Sequence, residues 1–184
     1  MSVILAFANS QYGIIASDGR FRVGNQIVNE DFDKTRVLNE SVICGFAGYS
    51  QPCLQMISEI TSNPRIQEMS LESIIEIVSI RLPKMVSESE FASFLLLGKN
   101  ADNKIQITGI GTKTNYLPYT EIPTSERNCF MTISPPKVDS SEIFKSNLQK
   151  FYPDIQKSID MTIIKVSQLT ETVNKIRFQK KYVL

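Results

Sequence analysis

The sequence predicts an α+β fold in which antiparallel sheets are covered by pairs of helices. Short apolar runs of strand length, separated by polar turns, fill residues 1–50 and return later in the chain. The segments with helical periodicity come in two consecutive pairs and do not alternate with single strands, which argues against a doubly wound parallel sheet. The 184 residues contain no linker, repeat or low-complexity segment, so we expect one domain over residues 1–184.

The N-terminal quarter predicts three β-hairpins. Polar residues at 9–11, 24–25 and 39–40 mark the turns, and the Asp18-Gly19 dipeptide reverses the chain after the first hairpin. The predicted strands are 2–8, 12–17, 21–23, 26–28, 34–38 and 41–47.

The chain then changes to helical periodicity. Ser50-Gln51-Pro52 suits a helix start, because proline is tolerated in the first turn, and Asn63-Pro64 ends this helix. Ser70 is a good N-cap for a second helix, which Pro83 is expected to kink or shorten. The apolar faces are Leu54, Ile57 and Ile60 in the first helix, and Leu71, Ile74, Ile75, Val78, Leu82 and Met85 in the second.

The second half repeats the order of strands followed by two helices. Ser134-Pro135-Pro136 breaks the strand pattern, and Asp139 or Ser140 is expected to cap the third helix. Pro153 separates it from the fourth helix. Strands are predicted at 92–97, 104–110, 115–119, 129–133 and 175–183, and the fourth helix has the apolar face Ile159, Ile163, Val166, Leu169 and Val173.

The composition limits the classes of function. A content of 42% hydrophobic and 21% charged residues is typical of a soluble globular protein. The net charge of +1 indicates no attraction to nucleic acid or to an anionic membrane, so we expect neither as a partner. No signal peptide is recognised, and no apolar segment approaches the ~20 residues of a membrane span, so we expect a cytoplasmic protein. Cys44, Cys53 and Cys129 have neither metal nor redox spacing.

The chain contains no histidine, which excludes Ser-His-Asp and Cys-His catalysis and histidine-based zinc sites. We expect no metal and no cofactor. A proton carrier at neutral pH then has to be a shifted carboxylate, a depressed lysine or an α-amine, whose unperturbed pKa is ~8.

Ser2 is the candidate that combines such an amine with a nucleophile. Initiator Met is usually removed when the next residue is small, so Met1 is expected to leave and expose the α-amine of Ser2 beside its hydroxyl. That pair supplies nucleophile and base within one residue. The plainer alternative is that Ser2 only begins an edge strand.

Several motifs in order along the chain carry a resemblance. It is closest over residues 2–48, continues to about residue 111 and fades beyond. The motifs are Gly13-Ile14-Ile15-Ala16-Ser17-Asp18-Gly19-Arg20, Gly24-Asn25, Asp33-Lys34-Thr35-Arg36-Val37-Leu38, Cys44-Gly45-Phe46-Ala47-Gly48 and Ile107-Thr108-Gly109-Ile110-Gly111. Together they resemble proteasome β-type subunits, and look most like the bacterial proteasome-related peptidase HslV. The resemblance implies a four-layer αββα sandwich, two antiparallel sheets between helix pairs, which is the N-terminal-nucleophile hydrolase fold.

The resemblance also implies a catalytic site. Ser2 falls on the family's N-terminal threonine nucleophile, and Asp18 on its structural acid. Lys34 falls on the active-site lysine, and Gly48 on the glycine whose N–H binds the oxyanion, with no gap between Ser2 and Gly48. Ser134 is expected to take the role of the serine near the terminal amine, although two prolines follow it where the family has glycines.

A substrate pocket follows from the same resemblance. Three phenylalanines are expected to make it narrow and apolar, while Arg36 is expected to admit an acidic group. Taken singly, phenylalanines in strands are more often core residues. The pocket residues are Phe21, Phe32, Arg36, Phe46 and Ser50.

The function implied is that of a threonine-type peptidase with serine as its nucleophile, acting on peptides or unfolded proteins. The family implies a homo-oligomeric ring and, in some members, an ATPase unfoldase as partner. Two alternatives stay open: a catalytically silent, ring-forming scaffold subunit, as proteasome α-type subunits are, and an amidase acting on small molecules. Serine keeps the hydroxyl of threonine but lacks the methyl group that fixes the side-chain rotamer.

Overall fold

A computed structural model describes residues 2–184, so the expected removal of Met1 concerns a residue outside the described range. Within that range no helix is long and apolar enough to cross a membrane. The strands are β1 (Ile4–Ala8), β2 (Tyr12–Asp18), β3 (Phe21–Val23), β4 (Gln26–Asn29), β5 (Thr35–Asn39), β6 (Val42–Gly48), β7 (Ala92–Lys99), β8 (Ile105–Gly111), β9 (Tyr119–Glu121), β10 (Cys129–Ile133) and β11 (Arg177–Val183). The α-helices are α1 (Ser50–Thr61), α2 (Leu71–Met85), α3 (Ser140–Phe151) and α4 (Ile155–Leu169).

The strands form two main antiparallel sheets. One has the order β10-β1-β2-β11 and the other the order β5-β6-β7-β8-β9, while β3 and β4 pair only with each other. The C-terminal strand β11 runs along β2, with Arg177 opposite Asp18 and Val183 opposite Tyr12. This pairing brings the segment after α4 to the end of β2, where Asp18 lies.

Three apolar layers hold the sheets and helices together, because each sheet is buried on both faces. The layer order is helix pair, sheet, sheet, helix pair, which confirms the predicted four-layer sandwich. The layer between the sheets includes Ile4, Ile15, Ile43, Leu95 and Ile107; α1 and α2 cover one sheet through Met56, Ile74 and Val78; α3 and α4 cover the other through Phe144, Ile159 and Ile163.

Two predicted segments differ from the structure. The predicted strand 115–119 is wrong, because Asn115 and Tyr116 adopt positive φ angles of 50° and 61° and form a turn before β9. Asparagine tolerates this left-handed conformation better than most residues. The fourth helix was predicted to bury both Leu169 and Val173 on one face. Helix α4 instead ends at Leu169, which is 53% exposed, and Val173 is a buried residue of the loop that follows.

Candidate active site

Ser2 lies two residues before the start of β1 and borders a small cavity. The cavity has a volume of about 40 Å³, and Ser2 itself is only 7% exposed. Lys34 and Gly48 line the same cavity, so the structure brings together three of the residues that the sequence singled out. They come from the start of β1, the segment before β5 and the end of β6, which neighbour one another across the two sheets.

Asp18 is fully buried, and its carboxylate accepts hydrogen bonds from several groups around the Ser2 cavity. Its Oδ1 accepts the N–H of Val3 at 3.0 Å, and its Oδ2 accepts the N–H of Arg20 at 2.9 Å. The Nζ of Lys34 lies 3.0 Å from Oδ2 and donates to the Asp18 carbonyl oxygen at 2.9 Å. Asp18 therefore fixes both the residue after Ser2 and the lysine, while Lys34 has three donors and uses two of them on Asp18.

Burial shapes the electrostatics of this ion pair. Loss of hydration lowers the pKa of Lys34, and the negative charge of Asp18 opposes that change. Loss of hydration raises the pKa of Asp18, while Lys34 and the N–H groups of Arg20 and Val3 act in the opposite direction. The result is a lysine that is held rigidly at the cavity and gives up a proton more readily than a lysine in water.

Gly48 has a conformation that favours glycine, with a φ angle of 116°. A Cβ at this position would overlap the carbonyl oxygen of Phe91, which accepts the N–H of Tyr49 at 2.7 Å. The N–H of Phe46 points the other way, to the carbonyl of Lys34 at 3.1 Å. Successive N–H groups of an antiparallel strand point to opposite edges of the strand. The N–H of Gly48, two residues after Phe46, therefore points to the β5 edge of β6, past the first residue of β5. Glycine thus allows close approach to β7 and leaves an N–H donor on the cavity side.

We expect Gly48→Ala to destabilise the protein more than Gly24→Ala. Both glycines have positive φ angles, 116° and 58°, and a residue forced into such a conformation costs roughly 1–3 kcal/mol. Only Gly48 faces a backbone obstacle, since a Cβ on Gly24 would meet nothing within 4 Å. Thermal unfolding of the two variants measures the difference, and equal melting temperatures would contradict the close packing of Gly48 against Phe91.

The predicted pocket residues do not all reach the cavity. Phe21, Phe32, Phe46 and Ser50 line it, and the rings are close, with centroids 4.9 Å apart for Phe21–Phe32 and 6.4 Å for Phe32–Phe46. Arg36 lies outside the lining: its Nη1 donates to the carbonyl oxygens of Asp33 and Thr35, at 2.7 Å each. The cavity is narrow and aromatic, while the guanidinium of Arg36 is held by backbone carbonyls at the start of β5.

Ser134 does not line the Ser2 cavity, although the pairing of Ile133 with Ile4 places it opposite Val3, the residue after Ser2. Its Oγ lies 2.5 Å from the Oγ of Ser140 and accepts the N–H of Ser140 at 3.3 Å, at the start of α3. It borders a different cavity, of about 390 Å³, between the ends of β7, β8 and β10. The structure therefore gives Ser134 a contact that holds α3 against β10.

The loop after α4 contributes residues that the sequence did not reveal. Thr172 lines the Ser2 cavity. Asn174 accepts the N–H of Gly19 at 2.9 Å and donates to the carbonyl of Glu30 at 2.7 Å, which holds the loop against the turn after β2. Thr172 and Asn174 are far from Ser2 along the chain and lie in no recognisable motif, so the sequence alone did not point to them. Only the pairing of β11 with β2 brings this loop to the site.

Two antiparallel sheets between helix pairs are the arrangement of the N-terminal-nucleophile hydrolase fold. A family model described as proteasome subunit matches residues 2–122. The chain belongs to the proteasome subunit family.

The solved structures include a similar protein, eukaryotic HslV from Trypanosoma brucei. It has a TM-score of 0.68 and 13% sequence identity to this chain, over 99% of both chains. At this identity the likeness shows the fold, which is that of HslV. A comparison with curated protein sequences gives no match.

Proposed function

We propose that this chain is a peptidase that hydrolyses peptide bonds with Ser2 as its N-terminal nucleophile, after removal of Met1. The observation that carries the proposal is the meeting of Ser2, Lys34 and Gly48 at one cavity of about 40 Å³. Membership of the proteasome subunit family supports the same reaction. An amide substrate needs a nucleophile, a proton acceptor and an oxyanion donor, and these three residues offer all of them.

The proposed reaction has two steps. The Oγ of Ser2 attacks the scissile carbonyl carbon, and the α-amine of Ser2, directly or through a water, takes the hydroxyl proton. That proton passes to the departing amine as the C–N bond breaks, which leaves an ester on Ser2. Water then attacks the ester, again with the α-amine as base, and releases the acid and the free serine.

Lys34 and Gly48 act on the charges that develop. The positive charge of Lys34 stabilises the alkoxide of Ser2. It also disfavours the protonated, ammonium form of the neighbouring α-amine, so that this amine can act as the base. Asp18 holds that lysine in place at 3.0 Å. The N–H of Gly48 donates to the oxyanion, and loss of such a donor typically costs ~2.7–4 kcal/mol of transition-state stabilisation. We assign Ser134 no direct step, because its hydroxyl is bonded to Ser140.

Assembly and location form the wider part of the proposal. Family membership supports a ring of identical copies and, as a partner, an ATPase unfoldase that delivers unfolded chains. We propose that the protein acts in the cytoplasm on peptides or unfolded proteins. We propose neither nucleic acid nor a membrane as a partner, and neither a metal nor a cofactor for the reaction. The cavity of about 40 Å³, lined by three phenylalanines, favours a small side chain at the cleaved position.

A substrate panel tests the function. We expect hydrolysis of unfolded casein and of peptides with alanine on the acyl side of the cleaved bond, with slower hydrolysis where phenylalanine replaces that alanine. Turnover of small amides alone would assign an amidase. No turnover by assembled protein that lacks Met1 would assign the second candidate, a silent ring subunit, which the engagement of Ser134 with Ser140 favours.

A further inference from the structure

The Ser2 cavity opens on a wider cleft of about 430 Å³. The cleft lies between the turn that joins β3 to β4 and the segment that leads from β6 into α1. Arg22, Gly48, Ser50 and Thr172 border both spaces. A peptide whose scissile carbonyl sits at Gly48 therefore places a neighbouring residue in this cleft.

The charges around the two spaces are not balanced. Arg20, Arg22 and Lys34 line the Ser2 cavity, and no aspartate or glutamate of the described range 2–184 lines either space. The Nη2 of Arg20 lies 2.8 Å from Glu30, and the Nζ of Lys34 lies 3.0 Å from Asp18, so two of the three cations already have a carboxylate partner.

Arg22 is the cation without such a partner. Among residues 2–184 it makes no ion pair with a carboxylate. Its Nη2 donates to the carbonyl of Asn25 at 3.1 Å, and its Nε is buried without an acceptor in the same range. A guanidinium has five N–H donors in a planar fork, so most of its capacity is unused here.

We propose that Arg22 binds a carboxylate of the peptide substrate in the cleft beside the cleavage site. This inference rests on the proposed peptidase function. A carboxylate supplies both the missing negative charge and two acceptors that match the guanidinium fork. The carboxylate belongs either to an acidic side chain next to the cleaved bond or to the C-terminus of a short peptide. The acidic preference that the sequence attached to Arg36 is thereby assigned to a different arginine.

Paired peptides test the inference. Each has alanine at the cleaved position and either glutamate or glutamine beside it, with a free or an amidated C-terminus. We expect the native protein to favour glutamate over glutamine in kcat/KM by roughly 10- to 100-fold, the range of a charge-assisted hydrogen bond. Arg22→Gln should bring the ratio close to one and Arg22→Lys should lower it, because an ammonium lacks the fork. Arg65→Gln, which removes an arginine with an 81% exposed side chain, should leave the ratio unchanged. A preference that follows the free C-terminus, and not glutamate, assigns the terminal carboxylate as the ligand.

Binding to Ser2→Ala separates this inference from the peptidase proposal. Fluorescence anisotropy of labelled peptides should show the same preference for the carboxylate, and Arg22→Gln in the Ser2→Ala background should remove it. Hydrolysis without any carboxylate preference would overturn the role of Arg22 while the peptidase stands. Carboxylate-dependent binding without hydrolysis would support the role of Arg22 and contradict the peptidase. Equal binding of all peptides to Ser2→Ala, with no preference in hydrolysis, would overturn the inference.

Discussion

Replacement of Ser2 by alanine is expected to reduce peptide hydrolysis by at least about 1,000-fold, because the variant has no nucleophile to form the ester intermediate. Alanine is also small, so removal of Met1 should proceed as in the native chain and the cavity should keep its shape. The rate of hydrolysis of an alanine-containing fluorogenic peptide measures the loss.

Two control variants sharpen this result. Ser10→Ala, in the exposed turn between β1 and β2, should retain full activity. Ser2→Thr should retain activity as well, because threonine has the same hydroxyl and its methyl group restricts the rotamer. Substantial hydrolysis by Ser2→Ala would place the reaction outside this cavity.

Lys34→Met is expected to abolish hydrolysis and to destabilise the fold at the same time. The substitution leaves the carboxylate of Asp18 buried without its cation, and breaking a buried ion pair in this way costs about 3–5 kcal/mol. Denaturant unfolding measures the stability. Lys180→Met is the matched control, because the Nζ of Lys180 lies 3.0 Å from Asp33 at a site where both side chains are partly exposed, so a smaller loss of stability and normal activity are expected.

The double variant Asp18→Asn/Lys34→Met separates the structural role of the pair from its chemical role. Removal of both charges should recover part of the stability, because no unpaired ion remains buried. Hydrolysis should stay absent, because the positive charge beside Ser2 is gone. A double variant that is both stable and active would remove Lys34 from the mechanism.

The order of strands and helix pairs predicted the fold, and the resemblance to the proteasome family pointed to Ser2, Asp18, Lys34 and Gly48 as the site, which stays a prediction. Consecutive hairpins give β1 to β6, and the pairing of neighbouring strands brings the ends of β1, β2, β5 and β6 together. A short segment with a single turn residue is harder to assign as strand or turn from its sequence. The strand predicted at 115–119 is wrong for this reason, because Asn115 starts a turn.

The rest of the site depends on tertiary contacts that no local pattern records. Arg36 and Arg22 are both arginines in early strand segments, yet Arg36 donates to nearby backbone carbonyls at the start of β5 whereas Arg22 lines the cavity. Thr172 reaches the cavity only through the loop before β11. The volume of the cavity depends on how the side chains that line it pack together, the three phenylalanine rings among them, and local sequence does not determine that packing.

The most direct test of the account is the intact mass of the protein before and after treatment with a β-lactone or epoxyketone, followed by peptide mapping. Competing thiols should contribute little, because burial raises the pKa of Cys44, Cys53 and Cys129 to about 12 and leaves almost no thiolate. The account predicts a chain that lacks Met1 and carries one adduct on Ser2, with no adduct in Ser2→Ala. A hydrolytically active chain that retains Met1, or an adduct on another residue, would contradict it.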